Sequence, residues 1–383
     1  MRKLLFIPGP TEVNEDVLLE LSKHVEPHYG VEWQEFYEKT IEIVQKIFNT
    51  KEYTTLLPVP GIVAMEMAVF NIIENEGDKI VCLNNGFFSD LIERILRLHG
   101  ANVLSIKSDW GAPLNINELE NVLDRNPDVK AVFMVHNETS TGVLNDISRI
   151  GKITRKYDKL LCVDAVSSFG GVEFNFDDWG VDYAVGYASK CLSGINGIVP
   201  IAISNRFIDY VRKRKIPIKS YYFNLLIYNE MSKYFTNHPH PTSMPTSVIK
   251  AFYKAAKMAI DEGLEKRYER HRKIAKAYRA SIRSLNLEIL AKEEFASPTV
   301  TTVIVENGLN KKITSILYEK YNIIVGGGLG ILKDNTFRIG HMGNTSNKEY
   351  LIQFISSLEM TLRDLGMLKE FGKGLKVAYD QLF

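Results

Sequence analysis

The chain has 383 residues, a length typical of two domains. Its 47 basic and 46 acidic residues leave a net charge of +1, which gives no overall attraction to nucleic acid or to an anionic membrane. No stretch approaches the roughly 20 apolar residues of a membrane span, and the N-terminus does not have the pattern of a signal peptide. The three cysteines are few, odd in number and without metal-binding spacing, which favours a reducing, cytoplasmic setting and no metal site.

The first predicted element is an amphipathic helix over residues 33–48, where apolar residues recur at helical spacing. Between residues 78 and 203, short apolar runs alternate with helix-like segments at 86–99 and 144–157. This alternation predicts a doubly wound α/β domain with a mostly parallel sheet. The predicted strands are Ile80–Leu83, Val103–Ile106, Val129–Val135, Leu160–Val163, Tyr183–Val185 and Ile198–Ile203.

A second, smaller α+β unit is predicted for the C-terminal part of the chain. Residues 247–284 have the composition of a helix, which breaks or bends at Gly263. Strands are expected near residues 299–305 and 335–340. The expected division is an N-terminal segment at 1–14, a large domain at 15–255 and a small domain at 256–383.

Candidate functional residues follow the predicted strands, where an open parallel sheet binds its ligands. Asp164 ends an apolar strand and there needs a cationic or donor partner, although it could equally cap the next turn. Lys190 stands among small residues that would admit a flat group, but a lone lysine is more often a surface residue. Residues 136–143 follow a predicted strand and bring several polar groups together. The alternative is an ordinary polar loop in which Thr or Ser caps a helix. Gly61 opens a helix whose free N–H groups suit an anion, which by itself is a weak signal.

These segments together resemble the class V aminotransferases of fold type I, which use pyridoxal phosphate, and within them the serine–pyruvate and alanine–glyoxylate branch. The resemblance covers essentially the whole chain. Each motif alone is modest evidence, whereas six in the family's order, with Asp164 and Lys190 26 residues apart, are strong evidence. The motifs are Ile7-Pro8-Gly9-Pro10-Thr11, Ala64-Met65-Glu66, Glu138-Thr139-Ser140-Thr141-Gly142-Val143, Val163-Asp164-Ala165-Val166-Ser167-Ser168, Ser189-Lys190 and Phe337-Arg338-Ile339-Gly340.

The resemblance implies a role for each matching residue near the cofactor ring. Lys190 would form the Schiff base and then act as proton shuttle, and Asp164 would pair with the pyridinium nitrogen. Thr139 would hydrogen-bond the edge of the ring, and Val166 would cover one face. Phe88 aligns with the family's stacking aromatic residue; its alternatives are a core position for Phe88 or stacking by the neighbouring Phe87.

The resemblance also implies a substrate site and a phosphate site. Arg338 would hold the substrate carboxylate as a bidentate fork, with a backbone contact from Gly9. At the phosphate, Pro60 and Ile62 stand where the family commonly has Ser and Thr or His. The backbone N–H groups of Gly61, Ile62 and Val63 would therefore do more of the binding, and Ser189 is a candidate hydroxyl donor.

Relatives also reach the phosphate from the partner subunit of a homodimer. The corresponding segment here is His240-Pro241-Thr242-Ser243-Met244-Pro245, in which His240 and Ser243 are the candidates. Tyr29 and Gly30 stand where relatives often carry His-Arg, so the floor of the substrate pocket is expected to differ.

The sequence thus predicts a homodimeric aminotransferase that moves an amino group from alanine or serine to glyoxylate or pyruvate by a ping-pong mechanism. The same-fold alternatives are an aminoethylphosphonate transaminase and a lyase or desulfurase. Desulfurases use a mobile nucleophilic cysteine, whereas Cys82, Cys162 and Cys191 lie at or beside predicted strand ends. A non-enzymatic α/β binding protein is the remaining alternative, and the presence of Lys190 and Asp164 argues against it.

Overall fold

Two β-sheets with helices packed around them organise the chain, as seen in a computed structural model that describes residues 2–382, apart from the side chains of 232–234. The strands, β1 to β14 in chain order, are Leu4–Phe6, Tyr53–Leu57, Lys79–Asn84, Asn102–Lys107, Ala131–Val135, Asn137–Glu138, Val143–Leu144, Leu160–Asp164, Tyr183–Val185, Val199–Ile203, Glu288–Ile289, Val300–Ile304, Ile323–Gly327 and Thr336–Gly340. The helices, α1 to α13, are Glu15–Leu19, Val31–Phe48, Gly61–Ile72, Phe87–Leu98, Ile116–Arg125, Ile147–Lys156, Asn205–Arg212, Leu225–Tyr234, Thr246–Glu262, Leu264–Ser284, Leu309–Tyr321, Lys348–Asp364 and Lys373–Leu382.

The large sheet has seven strands in the order β2-β10-β9-β8-β5-β3-β4. All neighbouring pairs from β9 to β4 are parallel, and β10 runs antiparallel to both β9 and β2. Every residue of β5 and β8 is buried, as expected for continuous apolar strands covered by helices on both faces. The predicted mostly parallel, doubly wound α/β fold is therefore confirmed, and the six predicted strands are all present.

The predicted helices form where the apolar spacing placed them. Helix α2 buries Trp33, Tyr37, Val44 and Phe48 on one face and ends at Asn49, which adopts the left-handed conformation. The long C-terminal helix breaks rather than bends, because Gly263 has a φ of +85° and separates α9 from α10. Within residues 2–382, no helix combines the length and the apolar character needed to cross a bilayer.

The small sheet has five strands in the order β1-β13-β14-β12-β11 and its own apolar core, which includes Phe6, Tyr278, Phe337 and Phe354. Its edge strand β1 comes from the N-terminus and pairs in parallel with β13. This pairing was not predicted from the sequence. The expected division at residues 14 and 255 stays a prediction.

The carboxyl ends of the central parallel strands bring the candidate residues to one edge of the large sheet. Strands β5 and β8 are paired in register, with Val135 opposite Asp164. The chain leaving β5 is held there because the His136 N–H donates to the Asp164 carbonyl at 2.9 Å. The short hairpin of β6 and β7 follows directly, so residues 137–144 lie beside the end of β8.

Candidate active site

Lys190 lies in a turn after β9, under the N-terminal segment of the chain. Its Nζ donates to the Pro8 carbonyl. Burial, reinforced by the positive charge of Arg338, lowers the pKa of Lys190 to about 8. The approach of the two segments is close enough to require Gly9, since a Cβ there would lie 2.5 Å from Nζ. Lys190 is therefore a half-buried amine that loses its proton more readily than an ordinary lysine, and the neutral amine is the state a nucleophile needs.

Asp164 is the last residue of β8 and is 8% exposed. Burial raises the pKa of its carboxyl to about 6, with a further contribution from the charge of Glu138. One oxygen accepts the Val166 N–H at 2.9 Å, which orients the carboxylate toward the strand end. A buried carboxylate of this kind is stabilised by a cationic or hydrogen-bond-donating ligand.

A second buried carboxylate, that of Glu138, occupies the N-terminus of helix α4. One oxygen accepts the N–H groups of Phe88 at 3.1 Å and Ser89 at 3.0 Å. The other accepts the N–H of Ser140 at 3.1 Å and its hydroxyl at 2.6 Å. The helix start and the 137–144 hairpin are thereby joined, and a Cβ at Gly86 would lie 2.6 Å from the Ser140 hydroxyl. Glu138 thus positions Phe88, the predicted stacking residue.

Arg338 lies in the middle of β14, a strand of the small sheet, and its guanidinium contributes a positive charge to this site. Its Nε donates to the Gly327 carbonyl at 2.7 Å, and its Nη1 donates to the Thr139 carbonyl at 3.3 Å. The residue is 8% exposed, and burial lowers the pKa of the guanidinium to about 10, an effect that the charge of Glu138 opposes. Because arginine stays protonated at that pKa, the site contains a permanent buried cation in a defined plane.

Helix α3 directs its N-terminus to the same region. It begins at Gly61, and no side chain caps it. The first N–H groups of a helix have no partner within that helix, and together with the helix dipole they favour an anion. Val166 packs directly on this helix start, since a Cβ at Gly61 would lie 2.7 Å from its Cγ2. The anion site and the Asp164 strand end are therefore adjacent.

The remaining residues predicted for the ring, substrate and phosphate sites, apart from His240 and Ser243, lie around this centre. Thr139 and Ser189 are 3% and 2% exposed. The carbonyl of Ser189 accepts the Thr11 N–H at 3.1 Å, whereas the Gly9 N–H donates to the Ile7 carbonyl at 2.7 Å. Ile62 is half-buried at the start of α3. A flat, anionic group held between Asp164 and the α3 N-terminus would face these residues.

The two candidates for the partner's phosphate site have different environments. His240 is 1% exposed and stands edge-on to Tyr37 of its own chain, with the ring centroids 4.0 Å apart. Burial lowers the pKa of its imidazole to about 3. Ser243 is exposed. Tyr29 stacks on His238 at 6.2 Å and therefore borders the same segment.

The sequence did not assign roles to Glu138 or Pro8. Both lie within motifs that the resemblance contained, but Glu138 binds main-chain N–H groups and serine hydroxyls, and Pro8 contributes its main-chain carbonyl to Lys190. An acidic residue directly after an apolar strand, followed by Thr and Ser, was the available signal for Glu138. The role of Pro8 rests on its carbonyl, and a carbonyl is common to every residue type.

Comparison with known proteins agrees with this geometry. Residues 5–340 match the family model for aminotransferase class V. An uncharacterised aminotransferase of Methanocaldococcus jannaschii is 35% identical over 100% of this chain and 98% of that protein. A serine–glyoxylate aminotransferase of Arabidopsis thaliana is 34% identical over 98% and 94% of the two chains. The crystal structure of ureidoglycine–glyoxylate aminotransferase from Bacillus subtilis superposes with a TM-score of 0.92 at 29% identity, covering 100% of this chain and 98% of that one.

The lowered pKa of Lys190 predicts the pH dependence of its reactivity in the cofactor-free protein. Trace labelling with acetic anhydride, read at the Lys190 peptide by mass spectrometry, should rise with a midpoint near pH 8 instead of the ordinary 10.5. Arg338→Gln removes the positive charge that lowers this pKa, so the midpoint should move to higher pH. A midpoint near 10.5 in the unaltered protein, or one that Arg338→Gln leaves in place, would contradict this description of the site.

Proposed function

Because this chain belongs to the class V aminotransferases, we propose that it uses pyridoxal phosphate to move an amino group from a small amino acid, alanine or serine, to glyoxylate or pyruvate. That it transfers amino groups between amino acids and 2-oxo acids follows from its family and from relatives matched over nearly the whole chain. The observation that carries the proposed cofactor chemistry is the meeting of a lysine of lowered pKa, Lys190, with a buried carboxylate, Asp164, and a buried guanidinium, Arg338, in one site. The choice of small substrates is supported by relatives named as serine–glyoxylate and alanine–glyoxylate aminotransferases.

The residues of the site fit pyridoxal phosphate. When bound, this cofactor supplies an aldehyde that takes up the amino group and a ring that withdraws electrons from the substrate. Lys190 would hold it covalently, Asp164 would stabilise its protonated ring nitrogen, and the start of α3 at Gly61 and Ile62 would hold its phosphate. Val166 and Phe88 would enclose the ring, with Thr139 at its edge and Ser189 near the phosphate.

Arg338 would bind the carboxylate that the amino acid and the 2-oxo acid have in common. Its Nε and Nη1 donate to main-chain carbonyls, which hold the plane of the guanidinium. Within residues 2–382 no acceptor takes Nη2, so this group remains for the substrate. One anchor then serves both half-reactions of a ping-pong cycle. Gly9 remains a candidate for an added main-chain contact.

Lys190 would also move the proton during the reaction. Once the substrate's amine has displaced it, its Nζ would be free to remove the proton from the substrate's Cα. The Pro8 carbonyl accepts a hydrogen bond from that amine and holds it at the N-terminal segment. A lowered pKa makes Lys190 an effective base close to neutral pH.

The environment of the cysteines argues against a desulfurase. All three are unpaired and buried. Cys191, next to the lysine, donates its thiol to the Ser167 carbonyl at 3.1 Å, and burial raises its pKa to about 12. A mobile thiolate is not compatible with such a position. Unpaired, buried thiols also support a cytoplasmic location.

We further propose that the protein is a homodimer with shared phosphate sites. Several large apolar side chains are exposed in two neighbouring segments, among them Val25 at 83%, Tyr29 at 57% and Phe235 at 55%. Apolar exposure of this extent marks a contact surface, and a second copy would cover it. Ser243 lies exposed beside it and is the better placed donor to the partner's phosphate, with His240 as the other candidate.

Borohydride reduction of the holoenzyme should attach a pyridoxyl group to Lys190, because reduction makes its bond to the cofactor permanent. Peptide mapping by mass spectrometry identifies the labelled residue, and Lys190→Arg is the control that should abolish the label. A label on another lysine, or none in the unaltered protein, would refute the proposed cofactor site.

Arg338→Lys should weaken the binding of amino and oxo acids while leaving cofactor binding intact. Lysine keeps the charge but loses the planar fork, a change on the order of 10²-fold in kcat/KM for a charge-assisted contact. Arg206→Lys is the matched control, since Arg206 is a partly buried arginine paired with Asp182 and Asp158 elsewhere in the fold. Loss of cofactor affinity in Arg338→Lys, or no effect on kcat/KM, would show that Arg338 is not the carboxylate anchor.

Ser243→Ala should raise the dissociation constant for pyridoxal phosphate severalfold, because the partner's phosphate loses a hydroxyl donor. Ser315→Ala, at an exposed serine of α11, is the control and should leave this constant unchanged. Analytical ultracentrifugation tests the dimer itself. A monomer that binds the cofactor with full affinity would refute the shared phosphate site.

A further inference from the structure

Three segments of the chain meet at the hydroxyl of Ser193. The Asn344 N–H donates to this hydroxyl at 2.8 Å, and the hydroxyl of Thr11 is hydrogen-bonded to it at 3.1 Å. Thr11 belongs to the N-terminal segment, Ser193 to the turn that carries Lys190, and Asn344 to the 3-10 turn Gly343–Thr345 of the small-sheet unit. Ser193 is 1% exposed, so these bonds form without competition from water.

This junction connects the two residues on which the proposed reaction depends. Lys190 lies three residues before Ser193 in one turn, and the Ser193 N–H donates to the Lys190 carbonyl at 2.9 Å. The same carbonyl accepts the Thr11 hydroxyl at 3.1 Å. Arg338 lies in β14, which leads directly into the turn of Asn344. The Ser193 hydroxyl therefore links the turn of the lysine directly to the turn that follows the strand of the arginine, and the Asn344 side-chain amide adds a second, indirect link through the Glu12 carbonyl.

The backbone of Ser193 indicates that its hydroxyl is what this position requires. Its φ is +55°, in the left-handed region, where a residue other than glycine is strained. Glycine would adopt this conformation without strain and would bury no polar group. The opposite side of the contact is a glycine, Gly343, at which a Cβ would overlap the Ser193 hydroxyl and lie 2.9 Å from the Cys191 carbonyl.

Helix α10 holds each of the two turns separately. Arg267 donates to the Cys191 carbonyl, and Arg270 donates to the Gly343 carbonyl at 3.0 Å. Both turns thus remain attached to α10 when the direct bond between them is removed. Loss of the Ser193 hydroxyl should therefore leave both turns folded, and the expected change is confined to the small shift that the lost direct contact allows.

We propose that Ser193 is a positioning residue that sets the separation between the Lys190 amine and the Arg338 guanidinium, and hence the placement of the substrate's Cα against the amine that takes its proton. This inference rests on the proposed function of Lys190 and Arg338. Ser193 acts through Asn344 and Thr11 and makes no contact with the reacting atoms. A displacement of about 1 Å in such an arrangement is enough to reduce turnover about 100-fold.

The test compares Ser193→Gly and Ser193→Ala with Ser204→Ala. Glycine removes the hydroxyl and the backbone strain together, so Ser193→Gly should fold at least as well as the unaltered protein. Ser204 is the matched control, because it is also buried and its hydroxyl caps α7 and donates to Asp182 at 2.8 Å, away from the site. Each variant is examined as cofactor-free protein and as holoenzyme.

In the cofactor-free protein, amide hydrogen exchange at Asn344 should become faster in both Ser193 variants and stay unchanged in Ser204→Ala. In the holoenzyme, kcat should fall by about 10- to 100-fold with KM for the amino acid changed less than about twofold, since Arg338 still binds the carboxylate. The kinetic isotope effect of a substrate deuterated at Cα should increase, because proton transfer becomes the slow step.

Unchanged exchange at Asn344, or unchanged kcat and isotope effect in both Ser193 variants, would overturn the proposal. An equal loss in Ser204→Ala would also overturn it, since the effect would then be one of general stability. Failure of the proposed function itself would be recognised separately, by the absence of a pyridoxyl label at Lys190 in the unaltered holoenzyme.

Discussion

Three buried ionisable side chains and the half-buried Lys190 lie within electrostatic reach of one another, and the site depends on the alternation of their charges. The positive charges of Lys190 and Arg338 lie among the negative charges of Asp164 and Glu138. An isolated buried charge would cost several kcal/mol, so each of the four is retained because the others and nearby main-chain groups compensate it. The two sheets must therefore keep one relative position, since Arg338 belongs to the small sheet and the other three to the large-sheet unit.

The N-termini of α3 and α4 both present main-chain N–H groups that favour a negative charge, but the two helices differ in what supplies that charge. The N-terminus of α4 is neutralised within the chain by the Glu138 carboxylate. The N-terminus of α3 begins at Gly61 without a side-chain cap and stays available to an anionic ligand. One helix start is thus filled by a side chain of the chain itself, and the other is the start to which we assign the phosphate.

The sequence predicted those parts of the fold whose signal is local. Continuous apolar runs marked β3, β5 and β8, and helical spacing marked α2. Features that depend on distant partners were missed: β1 has three residues and is a strand only because it pairs with β13, and the antiparallel direction of β10 leaves no mark in its composition. The site residues divide in the same way between local signals and distant contacts. Lys190, Asp164 and Arg338 were predicted from local motifs, whereas the burial of His240 results from its contact with Tyr37, about 200 residues earlier in the chain.

The parallel pairing of β1 with β13 joins opposite ends of the polypeptide, with Leu4 beside Ile323. Pairing over so great a separation forms late, because the loop must close before the contact is rewarded. During synthesis, the N-terminal residues that cover Lys190 therefore leave the ribosome long before the strand with which β1 pairs is made. The large sheet can assemble before that point, but its lysine remains uncovered until then. A chain that stops short of β13 would consequently carry most of the cofactor-binding residues and yet lack a closed site.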